Sequence, residues 1–135
     1  NRGGGGRLVV TDVKPLSSAV YSGDRAYLVP LSSDPGYIDE ILAICTAEGI
    51  TMVVPTIDDE LPLFSRAVVR FAARGIRVVV SPVDTTDLCN DKYETCRRLR
   101  ASGVPAAESF LPETLPAEPA FPLFIKPRYG RGSVG

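Results

Sequence analysis

The sequence predicts an α/β fold built on a parallel sheet with helices on both faces. Short apolar runs alternate with segments of helical periodicity, and the short connections between them end at glycine or proline. Four runs have the length and apolar content of buried strands, and they cover residues 7–12, 26–30, 50–55 and 76–80. Strands and helices that alternate in this way form right-handed crossovers, which makes the sheet parallel.

The first predicted helix lies between the second and third strands. Asp34 can cap its N-terminus, Pro35 suits its first turn, and Gly49 ends it. Its apolar residues recur at helical spacing as Ile38, Ile41, Leu42 and Cys45. This spacing predicts one helix face packed on the sheet.

The second predicted helix connects the third and fourth strands. It begins at residues 58–60 and ends at Gly75. Its inward face is predicted to consist of Phe64, Ala67, Val68 and Phe71. With this helix the strand–helix alternation is continuous from residue 26 to residue 80.

The beginning of the sequence departs from the usual order of a Rossmann-like domain. Such a domain begins with a strand, a glycine-rich turn and a helix, and its first strand occupies the middle of the sheet. Here the run at 7–12 corresponds to the second strand, and we expect the first strand to be missing. Its neighbours would then expose unpaired backbone groups. A segment outside this sequence, a partner chain in a homo-oligomer, or strand exchange would complete the sheet.

From residue 84 the alternation changes. A short helix is predicted at 85–89 and a longer one over about 91–102, with Tyr93, Cys96 and Leu99 on its inward face. The following stretch contains repeated prolines and is typical of an extended connection between domains. Residues 121–126 then predict a strand that leads directly into a glycine-rich end.

Composition excludes several classes of function. The chain carries 15 Lys and Arg against 16 Asp and Glu, which removes the electrostatic reason to expect nucleic acid or a membrane surface as a partner. It has no histidine and three cysteines without metal spacing, which argues against a zinc site or a Cys–His pair. Cys45 and Cys96 lie on apolar helical faces as free thiols, which suits a reducing, cytoplasmic location.

The last ten residues carry the clearest chemical pattern. Backbone N–H groups at Gly130, Gly132 and Gly135 can approach a ligand closely. The cations and the hydroxyl that flank these glycines belong to Lys126, Arg128, Arg131 and Ser133. Amide and cationic groups together suit a polyphosphate. A flexible hairpin with solvated charges is the alternative, and the pattern is not a P-loop because Gly-Lys-Ser/Thr is absent.

The order of the motifs resembles the ATP-grasp superfamily, in particular the large chain of carbamoyl-phosphate synthase. Asp91-Lys92 begins a helix, Gly103-Val104-Pro105 closes it, and Phe121-Pro122 leads through three apolar residues to Lys126-Pro127 and the glycine-rich loop. The resemblance covers essentially the whole chain. It implies a pre-ATP-grasp domain at 1–83, truncated at its N-terminus, and a helical and proline-rich connection at 84–120. Residues 121–135 would be the first strand and loop of an ATP-grasp domain that is truncated at its C-terminus.

The resemblance also implies an activity. Lys92 and Lys126 match lysines that contact the nucleotide, and Gly130, Gly132, Ser133 and Gly135 match the loop that closes over the triphosphate; Arg128 adds charge beside it. The parent enzyme would use ATP and Mg²⁺ to convert a small carboxylate into an acyl phosphate that an amine attacks. The magnesium ligands and the adenine-binding segment of the family lie downstream of this loop. No metal ligand is therefore expected in the chain, which by itself is expected to be inactive.

Two further interpretations concern residues at strand ends. Asp58 or Glu60 lies where ligands bind in parallel sheets and could hold the amine substrate, or these residues could only cap the next helix. Asp12 could hold the ribose of NAD, although no Gly-x-Gly-x-x-Gly turn precedes it. The alternatives to a ligase are thus a non-catalytic Rossmann-like binding or regulatory module and an NAD(P)-dependent oxidoreductase.

Overall fold

A computed structural model describes residues 5–130, which form a mixed α/β structure. The strands are β1 (Val9–Asp12), β2 (Arg25–Leu28), β3 (Met52–Val53) and β4 (Arg77–Val78). The α-helices are α1 (Tyr37–Ala47), α2 (Leu61–Ala72), α3 (Val83–Asn90) and α4 (Lys92–Ala101). Short 3₁₀ turns lie at Ser18–Tyr21, Asp58–Glu60 and Pro112–Thr114. The four strands predicted before residue 84 and the four helices are therefore confirmed as elements.

The chain divides into two compact units. The first comprises residues 1–53 and 67–78, and the second comprises residues 54–66 and 79–135. All four strands belong to the first unit, whereas α3 and α4 belong to the second. In the described part of the chain, no helix is long and apolar enough to cross a membrane.

The strands pair in parallel, as predicted, but in two separate sheets. β1 pairs with β2, with Val9 opposite Arg25, and β3 pairs with β4, with Val53 opposite Val78. Within residues 5–130 no ladder joins the two pairs, which is the gap that a sheet without its central first strand would have. A sheet is held together by its interstrand hydrogen bonds, and the two pairs share none.

A close backbone approach holds β1 against β2. The Leu8 amide donates to Asp24 Oδ2 at 2.7 Å, and the Asp24 amide donates to the Leu8 carbonyl at 2.8 Å. A Cβ added to Gly23 would lie 2.7 Å from Val10 Cγ2 and within 3.2 Å of two carbonyl oxygens. Only glycine fits at this position without a shift of the neighbouring backbone.

Helix α1 begins at Tyr37, three residues after the predicted cap. Asp34 instead forms a turn before the helix, in which its Oδ1 accepts from the Gly36 amide at 2.7 Å. The prediction that Asp34 caps the helix directly is therefore wrong, because residues 34–36 form this turn before the helix begins. Gly49 ends the helix with φ of 62°, as predicted.

The apolar core of the first unit is formed mainly by helix residues. In α1 the stripe is confirmed at Ile41, Leu42 and Cys45, whereas Ile38 is only half-buried. The buried apolar residues of this unit are Val29, Tyr37, Ile41, Leu42, Ile44, Cys45, Ala67, Phe71 and Ile76. Of these, Phe71 is fully buried. Burial of these side chains is the main stabilising contribution in this unit.

A charged cluster lies at the C-terminal end of α1. The Glu48 side chain is only 5% exposed and pairs with Arg7 and with Arg25, whose Nη1 lies 3.1 Å from Glu48 Oε1. Tyr27 donates its hydroxyl to the same carboxylate. That hydrogen bond, with the two arginines, lowers the pKa of Glu48, and it raises the pKa of Tyr27. The cluster links β2 and the residues before β1 to the end of the helix.

In the second unit, side-chain contacts connect α3 to its neighbours. Thr95 Oγ1 of α4 donates to the Leu88 carbonyl of α3 at 2.7 Å, and Arg66 Nη2 of α2 lies 2.6 Å from Asp87 Oδ2 of α3. The predicted inward face of α4 is less buried than expected, because Tyr93 and Cys96 are half-buried and Leu99 is 38% exposed.

The strand predicted at residues 121–126 is not formed. These residues pair with no other strand in the described part of the chain. Their large apolar side chains are solvent-exposed, with Phe121 79%, Phe124 86% and Ile125 94% exposed. A strand is defined by ladder hydrogen bonds to a neighbour, and residues 5–130 provide none for this segment.

Candidate functional site

The candidate site of the second unit is centred on Asp91, which separates α3 from α4. Its backbone is extended, with φ of −99° and ψ of 102°, and its side chain caps α4. Oδ1 accepts from the amides of Tyr93 and Glu94, each at 3.1 Å. An aspartate before a helix satisfies amides that have no partner within that helix, and this local preference places Asp91 beside Lys92.

The same carboxylate binds two residues from the distant end of the chain. Arg128 Nε donates to both Asp91 oxygens at 2.9 Å, and Arg128 Nη2 donates to Oδ2 at 2.6 Å. The Tyr129 hydroxyl donates to Oδ2 at 2.9 Å. The Asp91 side chain is 9% exposed, whereas that of Arg128 is 36% exposed. Asp91 is therefore a buried carboxylate that is fully supplied with donors.

These contacts shift the pKa values of all three groups. The hydrogen bond from Arg128 holds the pKa of Asp91 far below its usual range, although burial alone would raise it. The hydrogen bond to Asp91 in turn raises the pKa of the Arg128 guanidinium. It also raises the pKa of the Tyr129 hydroxyl. Asp91 and Arg128 are thus both ionised at neutral pH.

Lys92 contacts the same distant segment through two bonds. Its amide donates to the Arg128 carbonyl at 3.1 Å, and its Nζ donates to the Gly130 carbonyl at 2.6 Å. Gly130 has φ of 93°, a conformation that side-chain-bearing residues rarely adopt. The N-terminus of α4 and the first glycine of the loop are therefore in direct contact, although 38 positions separate them.

Aromatic rings lie beside the Arg128 guanidinium. Its Cζ is 5.4 Å from the centre of the Tyr93 ring and 5.3 Å from the centre of the Tyr129 ring. Cation–π attraction adds to the ion pair with Asp91 at these distances. Arg128 is thus held from more than one direction.

The structure brings together three of the predicted nucleotide-site residues. Lys92, Arg128 and Gly130 form one cluster, as described above. Lys126 lies two residues before this cluster and is exposed. Gly132, Ser133 and Gly135 lie outside the described residues. The assignment of all seven to a nucleotide remains a prediction.

Two residues of the cluster were not predicted as part of it. Asp91 was identified only as the start of a helix and as one half of the Asp-Lys motif, and Tyr129 was not identified. The cap preference of aspartate was readable from the sequence. The sequence does not reveal that Asp91 pairs with Arg128, 37 positions away, because an arginine exposed to solvent would look the same in the sequence.

A cavity of about 540 Å³ lies beside this cluster, within the second unit. Asp91 and Tyr129 form part of its wall, and the other lining residues are Asp59, Pro62, Leu63, Arg66, Asp87 and Asn90. Of the acidic turn at residues 58–60, Asp59 lines the cavity, while Asp58 is exposed and Glu60 is half-buried. The two acidic residues predicted to hold the substrate are therefore neighbours of the residue that faces the cavity.

The described residues can be compared with the groups that usually bind a nucleotide phosphate and with those that usually bind a metal ion. Lysine ammonium groups and a glycine-rich backbone suit phosphate oxygens. Among residues 5–130, no group of three or more His, Cys, Asp or Glu side chains could hold a metal ion. The described residues thus include cationic groups of the kind that bind phosphate, and they include no cluster of the kind that binds a metal ion.

Fold and site together define an α/β chain whose second unit presents a lysine to a glycine-containing segment. The model of the PylC-like N-terminal domain matches residues 1–79, and the chain belongs to this family. A search of curated proteins gave no match.

Among solved structures, the chain is similar to the subject of "Structure and function of a single-chain, multi-domain long-chain acyl-CoA carboxylase". The TM-score is 0.49 and the sequence identity is 24%, over 76% of this chain and 11% of that chain. The chain thus spans 11% of the length of that protein.

Proposed function

We propose that the chain is part of an ATP-dependent ligase of the ATP-grasp superfamily, related to carbamoyl-phosphate synthase, that joins a carboxylate to an amine. One observation carries the proposal: Lys92 Nζ lies 2.6 Å from the Gly130 carbonyl. The resemblance implied that this lysine and this loop serve one phosphate site, and their contact supports that implication. Membership of the PylC-like N-terminal domain family is consistent with the proposal.

The proposed reaction has two steps. A carboxylate oxygen of the substrate attacks the γ-phosphorus of ATP, and the bond to ADP breaks, which gives an acyl phosphate. The amine then attacks the acyl carbon, inorganic phosphate leaves with the bonding electron pair, and the amine loses a proton to solvent. Lys92, Lys126 and the loop amides would orient the triphosphate and offset its charge. Magnesium would supply further charge neutralisation, and the described residues suggest no ligands for it.

The sheet pairing supports a Rossmann-like first unit. In the order 3-2-1-4-5, removal of the first strand leaves one pair on each side of the gap. β1 with β2 and β3 with β4 are two such parallel pairs. We therefore propose that a further strand lies between β1 and β3, supplied by another segment, by a partner chain or by strand exchange.

A fluorescent ATP analogue tests the nucleotide proposal. The chain has only three lysines, and the third of them, Lys14, lies in the first unit and is exposed. Lys92→Met and Lys126→Met should each weaken binding about tenfold, the usual effect of losing one charge-assisted hydrogen bond. Lys14→Met is the matched control and should bind as the unchanged chain does.

The same titration separates the alternatives. It is run with and without Mg²⁺, and in parallel with NAD. Binding of NAD in preference to ATP would favour an oxidoreductase. Equal affinities for ATP in all three lysine variants would contradict the proposed site, and an absence of nucleotide binding would favour a non-catalytic module.

The acidic turn at 58–60 is the proposed site of the amine. A protonated amine in the 540 Å³ cavity would meet Asp59, and the neighbouring Asp58 and Glu60 would add negative potential. Titration with a small diamine should shift the NMR signals of the Asn90 side-chain amide, which also lines the cavity. Asp59→Asn should abolish the shift, and Asp84→Asn, at an exposed carboxylate of the same unit that does not line the cavity, should preserve it. Equal effects of the two substitutions would argue against the site.

A further inference from the structure

We propose that Asp91 is a positioning residue of the nucleotide site, and that it acts through Arg128 to hold residues 128–130 against Lys92. The nucleotide part of this inference rests on the proposed function. The contact between the two segments rests on the geometry of the described residues alone. Arg128 thereby changes its assignment from a phosphate ligand to a partner of Asp91.

The first argument is the saturation of the Asp91 carboxylate. Its two oxygens accept from the helix amides on one side and from Arg128 and Tyr129 on the other. At 9% exposure the side chain has little access to water. A carboxylate in such surroundings fixes both sets of donors, because any one that leaves gives up a charge-assisted hydrogen bond.

The second argument concerns the exchange of partners by Lys92. Its ammonium group donates to the Gly130 carbonyl, and a phosphate that recruits this ammonium has to compete with that carbonyl. The contacts of Asp91 with Arg128 do not involve Lys92 and can persist throughout the exchange. They would keep the loop in register while the lysine moves from carbonyl to phosphate.

The third argument is the state of the Arg128 guanidinium. Two of its nitrogens face Asp91, and the rings of Tyr93 and Tyr129 lie beside it. Its charge is offset by the carboxylate, which weakens its attraction for a phosphate. The planar fork of arginine matches a carboxylate in a way that lysine cannot reproduce. Substitution of Arg128 by lysine therefore tests whether the contact with Asp91 requires only a positive charge or also the planar guanidinium.

Three variants test the inference. Asp91→Asn retains an N-cap for α4 but loses the ionic contact with Arg128. Arg128→Lys retains the charge and loses the fork. Glu108→Gln removes the exposed ion pair with Arg100 in the same unit, away from the 540 Å³ cavity, and is the matched control. The first readout is affinity for the fluorescent ATP analogue, and circular dichroism verifies that each variant is folded.

The second readout is the reactivity of Lys92 itself, which a merely structural role of Asp91 would not change selectively. Reductive methylation with ¹³C-formaldehyde labels the three lysines for NMR, and the Lys→Met variants assign their signals. Lys92 is expected to react more slowly than Lys14 in the unchanged chain. In Asp91→Asn and in Arg128→Lys we expect Lys92 to react several-fold faster and ATP to bind about tenfold more weakly. Lys14 should not change, and Glu108→Gln should match the unchanged chain.

Several outcomes would overturn the inference. The first is an unchanged Lys92 reactivity in both Asp91→Asn and Arg128→Lys, and the second is an unchanged ATP affinity in both. The third is an Arg128→Lys variant that matches the unchanged chain in both readouts, which would show that charge suffices. If Asp91→Asn fails to fold, Arg128→Lys decides, since it leaves the helix cap intact. If the unchanged chain does not bind ATP, the proposed function fails and Lys92 reactivity still decides whether Asp91 positions the segment.

Discussion

Arg128 donates to both oxygens of Asp91, and the ion pair joins positions 37 residues apart in the sequence. It links the N-terminus of α4 to the beginning of the glycine-rich segment. The intervening residues include the proline-rich stretch, which contributes only a short 3₁₀ turn at Pro112–Thr114. The ion pair is therefore a main contact between the N-terminus of α4 and the segment that contains Gly130.

The ion pair should make stability dependent on pH. The folded-state pKa of Asp91 lies below its ordinary value of 3.8, so its contribution to stability is fully present above that value. The contribution is lost as the pH falls from 3.8 towards the folded-state pKa. Urea unfolding at a series of acidic pH values should show a smaller loss of stability for Asp91→Asn than for the unchanged chain. Equal slopes for the two proteins would contradict the assignment.

Loss of the helix cap should be separable from loss of the ion pair. Asp91→Ala removes both, whereas Asp91→Asn retains a side chain that can accept from the Tyr93 and Glu94 amides. We expect Asp91→Ala to be less stable than Asp91→Asn by about 1 kcal/mol, the usual contribution of a cap. Denaturant titration measures this difference. A difference near zero would mean that the cap contributes nothing.

The core of the first unit should depend strongly on Phe71. Its side chain is fully buried, so Phe71→Ala should lower the free energy of unfolding by about 3–5 kcal/mol. Val69 lies on the same helix and is 79% exposed, which makes Val69→Ala a matched control with an effect within about 0.5 kcal/mol. Thermal or urea unfolding provides the comparison. Similar losses in both variants would refute this account of the core.

The three cysteines should differ in reactivity. Cys89 is exposed, Cys96 is half-buried and Cys45 is buried. Burial also raises the pKa of the Cys45 thiol, which further lowers its thiolate fraction. A maleimide reagent followed by mass spectrometry should label Cys89 first and Cys45 last, and all three should react equally in urea. Early labelling of Cys45 in the folded chain would contradict its position in the core.

Tyr27 should titrate above an ordinary tyrosine. Its hydrogen bond to Glu48 raises its pKa above 10.0, because the ionised phenolate would face a carboxylate. Glu48→Gln should lower the pKa of Tyr27 towards 10.0. NMR of ¹³C-labelled tyrosine follows the titration of Tyr27 in the unchanged chain and in the variant. An unchanged pKa of Tyr27 in Glu48→Gln would argue that the two side chains do not interact.

Local sequence patterns predicted most of the elements. The spacing of Ile41, Leu42 and Cys45 identified the buried face of α1, and Gly49 and Gly75 identified two helix ends. These signals succeed because helical periodicity and positive φ depend on residues close together in the chain. The predicted start of α1 was wrong. Asp34 can either cap a helix or form a turn, and the sequence did not distinguish the two.

Predictions that needed distant partners were less successful. Residues 121–126 have the composition of a strand, yet a strand also requires a neighbour, and none is present in the described part of the chain. The four predicted strands, by contrast, do have neighbours, and they pair as β1 with β2 and β3 with β4. Apolar content indicates that a segment can be buried, and pairing decides whether it is.

By itself the sequence determined the α/β alternation and the parallel direction of the strands. It placed Lys92, Arg128 and Gly130 in one proposed site through their order along the chain. Only the tertiary structure decided that Asp91 joins them and that Arg128 is occupied by this carboxylate. The reason is physical: a helix cap is a local preference, whereas an ion pair across 37 residues exists only when the fold brings its two charges together.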